Sequence, residues 1–220
     1  MKHINIALDG PSGSGKSTVA KELSKKLNIL YLDTGAMYRA AACKALALGV
    51  DTLDESGVSA FIDDLDLDIR YIDGAQHTFL DGKDVSSRIR EPEISMAASN
   101  ISSLKCVRLK MVAMQREIAK SMSCILDGRD IGSFVLPDAK YKFYVTAAPE
   151  VRTARRKAEL EGRGFTVDFD ELLKEIEQRD YNDRHRDFAP LVRAEDAVLI
   201  DTSEMNVDEV LQKIISYIER

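Results

Sequence analysis

Five short runs of nearly unbroken apolar residues limit the folds open to this chain: INIAL (4–8), ILYLD (29–33), CILD (124–127), KFYVTA (142–147) and AVLID (197–201). They are rich in β-branched and aromatic residues, which predicts strands. A strand with one wet face alternates apolar and polar; one without alternation has both faces covered, as in a parallel sheet. Helical patterns fall between the runs. Val19, Leu23 and Leu27 recur at four-residue steps, residues 36–48 are rich in Ala and Leu, and residues 94–121 carry a longer pattern. Val207, Val210, Leu211, Ile214 and Ile218 form a last stripe, opened by Asn206 and Glu209 as a capping box. Strand alternating with helix predicts an α/β domain.

One stretch departs from that alternation. LDLDIRYID (65–73) has period two, GAQ turns, and HTFLDGKDVS has period two again, which predicts antiparallel strands in an insert over 62–92. The 220 residues suffice for one sizeable core. A net charge of −6 argues against general nucleic-acid binding, although basic residues cluster locally. Cys43, Cys106 and Cys124 show neither metal-ligand spacing nor an even count, which fits a reducing cytoplasm. The first apolar run is too short for a signal peptide and no run reaches the length of a membrane span. No interface signal is visible, so a monomer is expected.

Between the first strand and the first helix stands Gly10-Pro11-Ser12-Gly13-Ser14-Gly15-Lys16-Ser17, followed by Thr18. Glycines let the backbone adopt positive φ and approach an anion closely. The following N–H groups converge at a helix N-terminus that favours negative charge. Lys16 adds a mobile cation and Ser17 a hydroxyl for Mg²⁺, so the turn predicts nucleoside triphosphate binding. Thr18 fits either the α-phosphate or the helix surface.

Three further stretches bear on where the phosphate goes. LDTGAMYR (32–39) places Asp33, Thr34, Tyr38 and Arg39 at the carboxyl end of the second strand, where ligands of open parallel sheets bind. Tyr38 and Arg39 also fit a solvent-facing position on an apolar helix. ILDGRDIG (125–132) ends a buried strand on Asp127, a candidate for the Mg²⁺ shell, with Arg129 and Asp130 next; an ordinary Asp-Gly turn is the plainer reading. In EQRDYNDRHRDFAPL (177–191), the stripe Leu172, Ile176, Arg179, Asp183 and Arg186 changes from apolar to charged as it advances. Such charges line a cleft, or they form a solvated helix end with its own ion pairs. A fourth cluster holds Arg152, Arg155 and Arg156 on one helical face, with Arg163 between Gly162 and Gly164, as a lid over phosphates or a plain surface helix would.

Taken in order, GPSGSGKST, DTGAMYR, DGRDIG and RDYNDRHRDFAPL resemble the bacterial cytidylate kinases, over essentially the whole chain. The resemblance implies a P-loop kinase fold: α/β, with a five-stranded parallel sheet, helices on both faces, an antiparallel monophosphate-binding insert (62–92) and a short helical lid (151–165). The core would be 1–61, 93–150 and 166–220. It implies transfer of a phosphoryl group from ATP, with Mg²⁺, to CMP, and dCMP as a second acceptor. By this analogy Thr34, Tyr38 and Arg39 line the monophosphate pocket; many relatives carry Ser where this chain has Thr34. Ser99, Arg108 and Asp130 read the cytosine edge, and Arg179 and Asp183 hold the ribose. Arg39, Arg129 and Arg186 bind the acceptor phosphate. Gly10 to Thr18 and Arg155 hold ATP, Ser17 and Asp127 the metal. Lys16, Arg129, Arg186 and Arg156 serve catalysis, and which lid arginine reaches the transferred group stays open.

A nucleoside monophosphate is largely dianionic at neutral pH, so the nucleophile needs no general base. None is offered: His3 and His77 lie outside these motifs and His185 falls between stripe positions. The residues alone still admit a kinase for UMP, AMP or a shikimate-type acceptor, a nucleotide-driven switch, or a degenerate binding module. A guanine-reading switch would carry an N-K-x-D stretch, which the sequence lacks.

Overall fold

The computed structural model describes residues 3–219. All five apolar runs become strands of one sheet: β1 (Asn5–Asp9), β2 (Leu30–Asp33), β6 (Cys124–Gly128), β7 (Tyr141–Thr146) and β8 (Val198–Asp201). They lie in the order β2-β6-β1-β7-β8, every pair parallel. The reason for their unbroken apolarity is visible in the two cores. Ala7, Leu32 and Leu126 face one layer, while Ile6, Leu8, Tyr31 and Ile125 face the other. The first layer is built by α2 (Thr34–Ala47), α3 (Glu55–Ile62), α4 (Pro92–Ile101) and α5 (Lys105–Ser121); the second by α1 (Lys16–Leu27) and α8 (Val207–Ile218). The expected capping box on α8 forms, Asn206 accepting from Glu209 N and Glu209 accepting from Asn206 N.

The single helical pattern expected over 94–121 is two helices. Ser102 and Ser103 hydroxyls donate back to the carbonyls of Ser99 and Asn100, and Leu104 takes extended backbone before α5 begins. Serine offers the main chain this alternative to helix, and the apolar period continues across the break. The period-two stretch forms β3 (Leu67–Ile72), β4 (Ala75–Leu80) and the short β5 (Lys83–Asp84), an antiparallel sheet. It docks on the open edge of β2 through side chains. Tyr71 Oη donates to Tyr31 O at 2.8 Å, and the Gln76 amide both accepts from Asp33 N and donates to Asp33 O. An exposed edge strand is thereby covered.

Two more helices, α6 (Pro149–Glu161) and α7 (Phe169–His185), pack on each other beyond the carboxyl ends of the strands. The chain leaves β1 with β6 on one side and β7 on the other, so the loops diverge there and open a crevice.

Candidate active site

That crevice is a cleft of about 890 Å³, lined from Ser12 through Val19 at one end and by Ser99, Arg108 and Asp130 at the other. The glycine loop shapes the first end. Gly13 and Gly15 have φ of 76° and 86°, and the N-terminus of α1 has no side-chain cap, which leaves its amides for a ligand. Ser14 Oγ is buried without a hydrogen-bond partner, and Lys16 Nζ donates to Pro11 O at 2.9 Å. Burial, then the neighbouring Arg129, pushes the Lys16 ammonium down to about 7. Asp127, Asp183 and Asp9 pull in the opposite direction and are outweighed. Gly10 and Pro11 do not line the cleft. Gly10, at φ 146°, faces the β7 backbone, and a Cβ there would lie 1.9 Å from Val145 O.

Strand register sets the next layer. Asp33 and Asp127 are partners across β2 and β6, at the carboxyl ends of both. Asp33 accepts from Arg39 at 2.9 Å and from Arg90 at 2.7 Å and caps α2 through Ala36 N. Burial alone would raise its carboxyl, but the two guanidiniums outweigh it and hold the group at about 2. Thr34 Oγ1 donates to Asp127 O at 2.6 Å. Burial and the nearby Asp33 push the Asp127 carboxyl up, with the Tyr31 hydroxyl at 3.3 Å and Ser17 close by.

At the far end Arg108, almost wholly buried, donates to Asp130, and Arg186 approaches the other Asp130 oxygen at 3.4 Å. The Tyr38 ring centre lies 5.6 Å from the Arg108 guanidinium, and burial pushes its hydroxyl up to about 12. Arg129 donates to Asp183 at 2.7 Å, with Arg186 3.7 Å from the same carboxylate. Arg179 lines the cleft with no hydrogen bond or ion pair among the described residues; burial and Arg129 lower it to about 10, so it stays charged. The charged stripe of α7 thus faces the cleft rather than solvent.

The three arginines of α6 separate in space. Arg152 is buried, pairs with Asp180 of α7 at 2.7 Å and donates to Ser12 O and Ala147 O, so it braces the glycine loop from behind. Arg155 donates to Thr202, and Arg156 pairs with Glu159; both line the cleft, as does Arg163. Several residues here escaped the sequence reading. Arg90 had no motif around it, and Asp180 stood inside RDYNDRHRDFAPL but off its charged stripe. Gln115, buried on the cleft wall with an unpartnered amide, is hidden in an ordinary helical pattern. Asp9 had one signal, a carboxylate closing an otherwise apolar run.

Magnesium keeps most of its waters and takes one or two protein oxygens beside phosphate. Asp127 with Ser17 is a donor set of that kind, and the raised Asp127 carboxyl is one that a cation would relieve. Among the described residues no cluster of three or more His, Cys, Asp or Glu forms an all-protein cage.

Comparison with known proteins agrees with this geometry. The profile of the cytidylate kinase family matches residues 6–220. A cytidylate kinase of Caldicellulosiruptor bescii is 48% identical over 215 residues, covering 98% of this chain and 95% of that protein. One from Clostridioides difficile is 45% identical over 218 residues, covering 99% of each. Among solved structures, a gluconokinase from Sinorhizobium meliloti superposes with a TM-score of 0.50 at 12% identity, over 100% of this chain and 93% of that one, a likeness of fold alone. A glycine loop at one end of the cleft, an arginine and aspartate cradle at the other, and near-half identity along the whole length lead to one conclusion: the chain belongs to the cytidylate kinase family.

Proposed function

We propose that this protein transfers the γ-phosphoryl group of ATP to CMP, and to dCMP, giving ADP and CDP or dCDP. The observation that carries this reading is the single cleft in which Lys16 shares walls with Arg39, Arg129, Arg179 and Arg186. ATP lies on the amides of Gly13 to Thr18, with Gly10 and Pro11 shaping the loop and Arg155 beside it. CMP lies at the other end, its base read by Ser99, Arg108 and Asp130. Arg179 and Asp183 hold its ribose, and Thr34, Tyr38 and Arg39 line its phosphate pocket. Residues 62–92 act as the acceptor-binding insert and 151–165 as the lid. Ser17 and Asp127 would hold Mg²⁺, which supplies charge neutralisation at the donor phosphates when bound. The working form is a monomer in the cytoplasm; no helix among the described residues is long and apolar enough to cross a membrane.

Catalysis is positioning and charge. The acceptor oxygen is already ionised, so the obstacle is bringing two polyanions into line. Lys16, Arg129, Arg186 and Arg156 offset that repulsion, and guanidinium forks held by Asp183 and Asp130 need little reorganisation at the moment of transfer. ADP release is the direct test, in a coupled assay with CMP, dCMP, UMP, AMP and shikimate as separate acceptors. CMP-dependent release supports the reading. Release indifferent to acceptor, or greatest with AMP or shikimate, overturns it.

A further inference from the structure

We propose that Asp9 is a positioning residue that fixes where Arg129 and Asp130 stand relative to the glycine loop. The proposal rests on the reading of Arg129 and Asp130 as acceptor-side groups. Asp9 is the last residue of β1, and its main chain runs straight into Gly10. Its side chain turns across the sheet instead. Oδ1 accepts from Ile131 N and Oδ2 from Gly132 N, each at 2.7 Å, although more than 120 positions separate the partners. These amides open the wide π-type helical turn Ile131–Val135 and directly follow Arg129 and Asp130. They have no partner inside that turn, so the carboxylate supplies what the local fold cannot.

The ladder explains why a side chain is needed at this point. Strand pairing places Asp9 opposite Gly128 and stops there. Arg129 and Asp130 leave the sheet, and Asp130 takes backbone angles of neither helix nor strand. The glycine loop is set by its own strand, since the Asp9 main chain is paired to both β6 and β7. The Asp9 side chain therefore gives its hydrogen bonds to the acceptor side, and toward the donor side it acts on Lys16 only as a charge.

Two further observations fit a selected contact. Gly132 carries no Cβ, and one would lie 3.3 Å from Asp9 Oδ2 and 3.1 Å from Lys142 Cδ, so glycine permits the approach. The carboxylate is buried at a cost: burial pushes it up to about 7 despite the two amides, and Lys142 is engaged with Asp196. An apolar residue would avoid that cost but leave two buried N–H groups unmet.

Asp9→Asn keeps the size and one acceptor oxygen but sets an NH₂ group against one of the amides. Hydrogen exchange of the 129–136 segment and steady-state kinetics are measured on the parent, on Asp9→Asn and on Gly132→Ala, whose new methyl presses on the carboxylate. Exchange in 129–136 is expected to rise about tenfold. The CMP term kcat/KM falls roughly 10- to 100-fold in both variants, as expected for a misplacement of about 1 Å, and in Gly132→Ala, which keeps the Asp9 charge near Lys16, the ATP KM stays within about twofold. Unchanged exchange, or faster exchange with all constants within twofold, overturns the proposal, as does an ATP KM that rises in Gly132→Ala by as much as the CMP kcat/KM falls. Should Asp9→Asn not fold, Gly132→Ala decides by the same criteria. A parent inactive on CMP would overturn the proposed function, while the exchange arm still decides whether Asp9 orders this segment.

Discussion

Arg129 Nε donates to Asp183 Oδ2 at 2.7 Å, tying the exit of β6 to the last turn of α7 across 54 positions of sequence. The same carboxylate has Arg186 at 3.7 Å, and burial, which would raise it, is outweighed by Arg129 and then Arg186. One aspartate thus aims two guanidiniums at the same space before any ligand arrives. That arrangement is costly in charge burial and useful only if an anion takes up the arginines' remaining donors.

Arg129→Ala and Arg186→Ala should each lower kcat with CMP by about 10²- to 10³-fold, the loss usual for one transition-state donor. The fold should persist, because Asp183 keeps the second arginine and Arg179 close by. Circular dichroism melts alongside ADP-release kinetics check both parts. Near-normal turnover in a folded variant removes that residue from the mechanism.

Asp130 is held by Arg108 and Arg186, so alanine would strand a buried guanidinium as well as alter the proposed base pocket. Asp130→Asn keeps the size and one acceptor oxygen, so it disturbs the guanidiniums less than alanine does. The ratio of kcat/KM for CMP over AMP and UMP should fall by at least about tenfold, while the ATP KM changes little. An unchanged ratio would show that the cytosine edge is read elsewhere.

Asp33 links stability to pH. Its carboxyl is ordinarily near 3.8 and sits at about 2 in the fold, where Arg39 and Arg90 outweigh the effect of burial. The folded state therefore binds this proton less readily than the unfolded chain. The stabilisation, about 2 kcal/mol, is complete above the ordinary value and is lost as pH falls from about 4 through about 2. Urea unfolding at pH 5, 4 and 3 should show a shallower acid slope in Asp33→Asn than in the parent. Equal slopes would mean that the ion pairs with Arg39 and Arg90 contribute nothing.

Gly10→Ala should lose the fold rather than the nucleotide alone. The added methyl would lie 1.9 Å from Val145 O, a backbone atom within the sheet, and φ is 146°. A cost of at least about 3 kcal/mol is expected. A melting temperature within a few degrees of the parent would refute the packing role.

The five strands of the main sheet, the glycine loop and most of the cleft's residue types are legible in the residues alone. These are local properties: unbroken apolarity reports two covered faces, and glycine spacing before a lysine reports a backbone bent around an anion. Which charges are free to act emerges only once distant segments pack together. Arg152 and Arg156 share a helix face four residues apart, yet Arg152 is locked between Asp180 and Ser12 while Arg156 lines the cleft. Asp9 closes an apolar strand in sequence, and its side chain accepts from the amides of a helical turn more than 120 residues away. The physical reason is common to both: a charged side chain's role depends on its burial and on partners distant in sequence, and neither is encoded in the residues beside it.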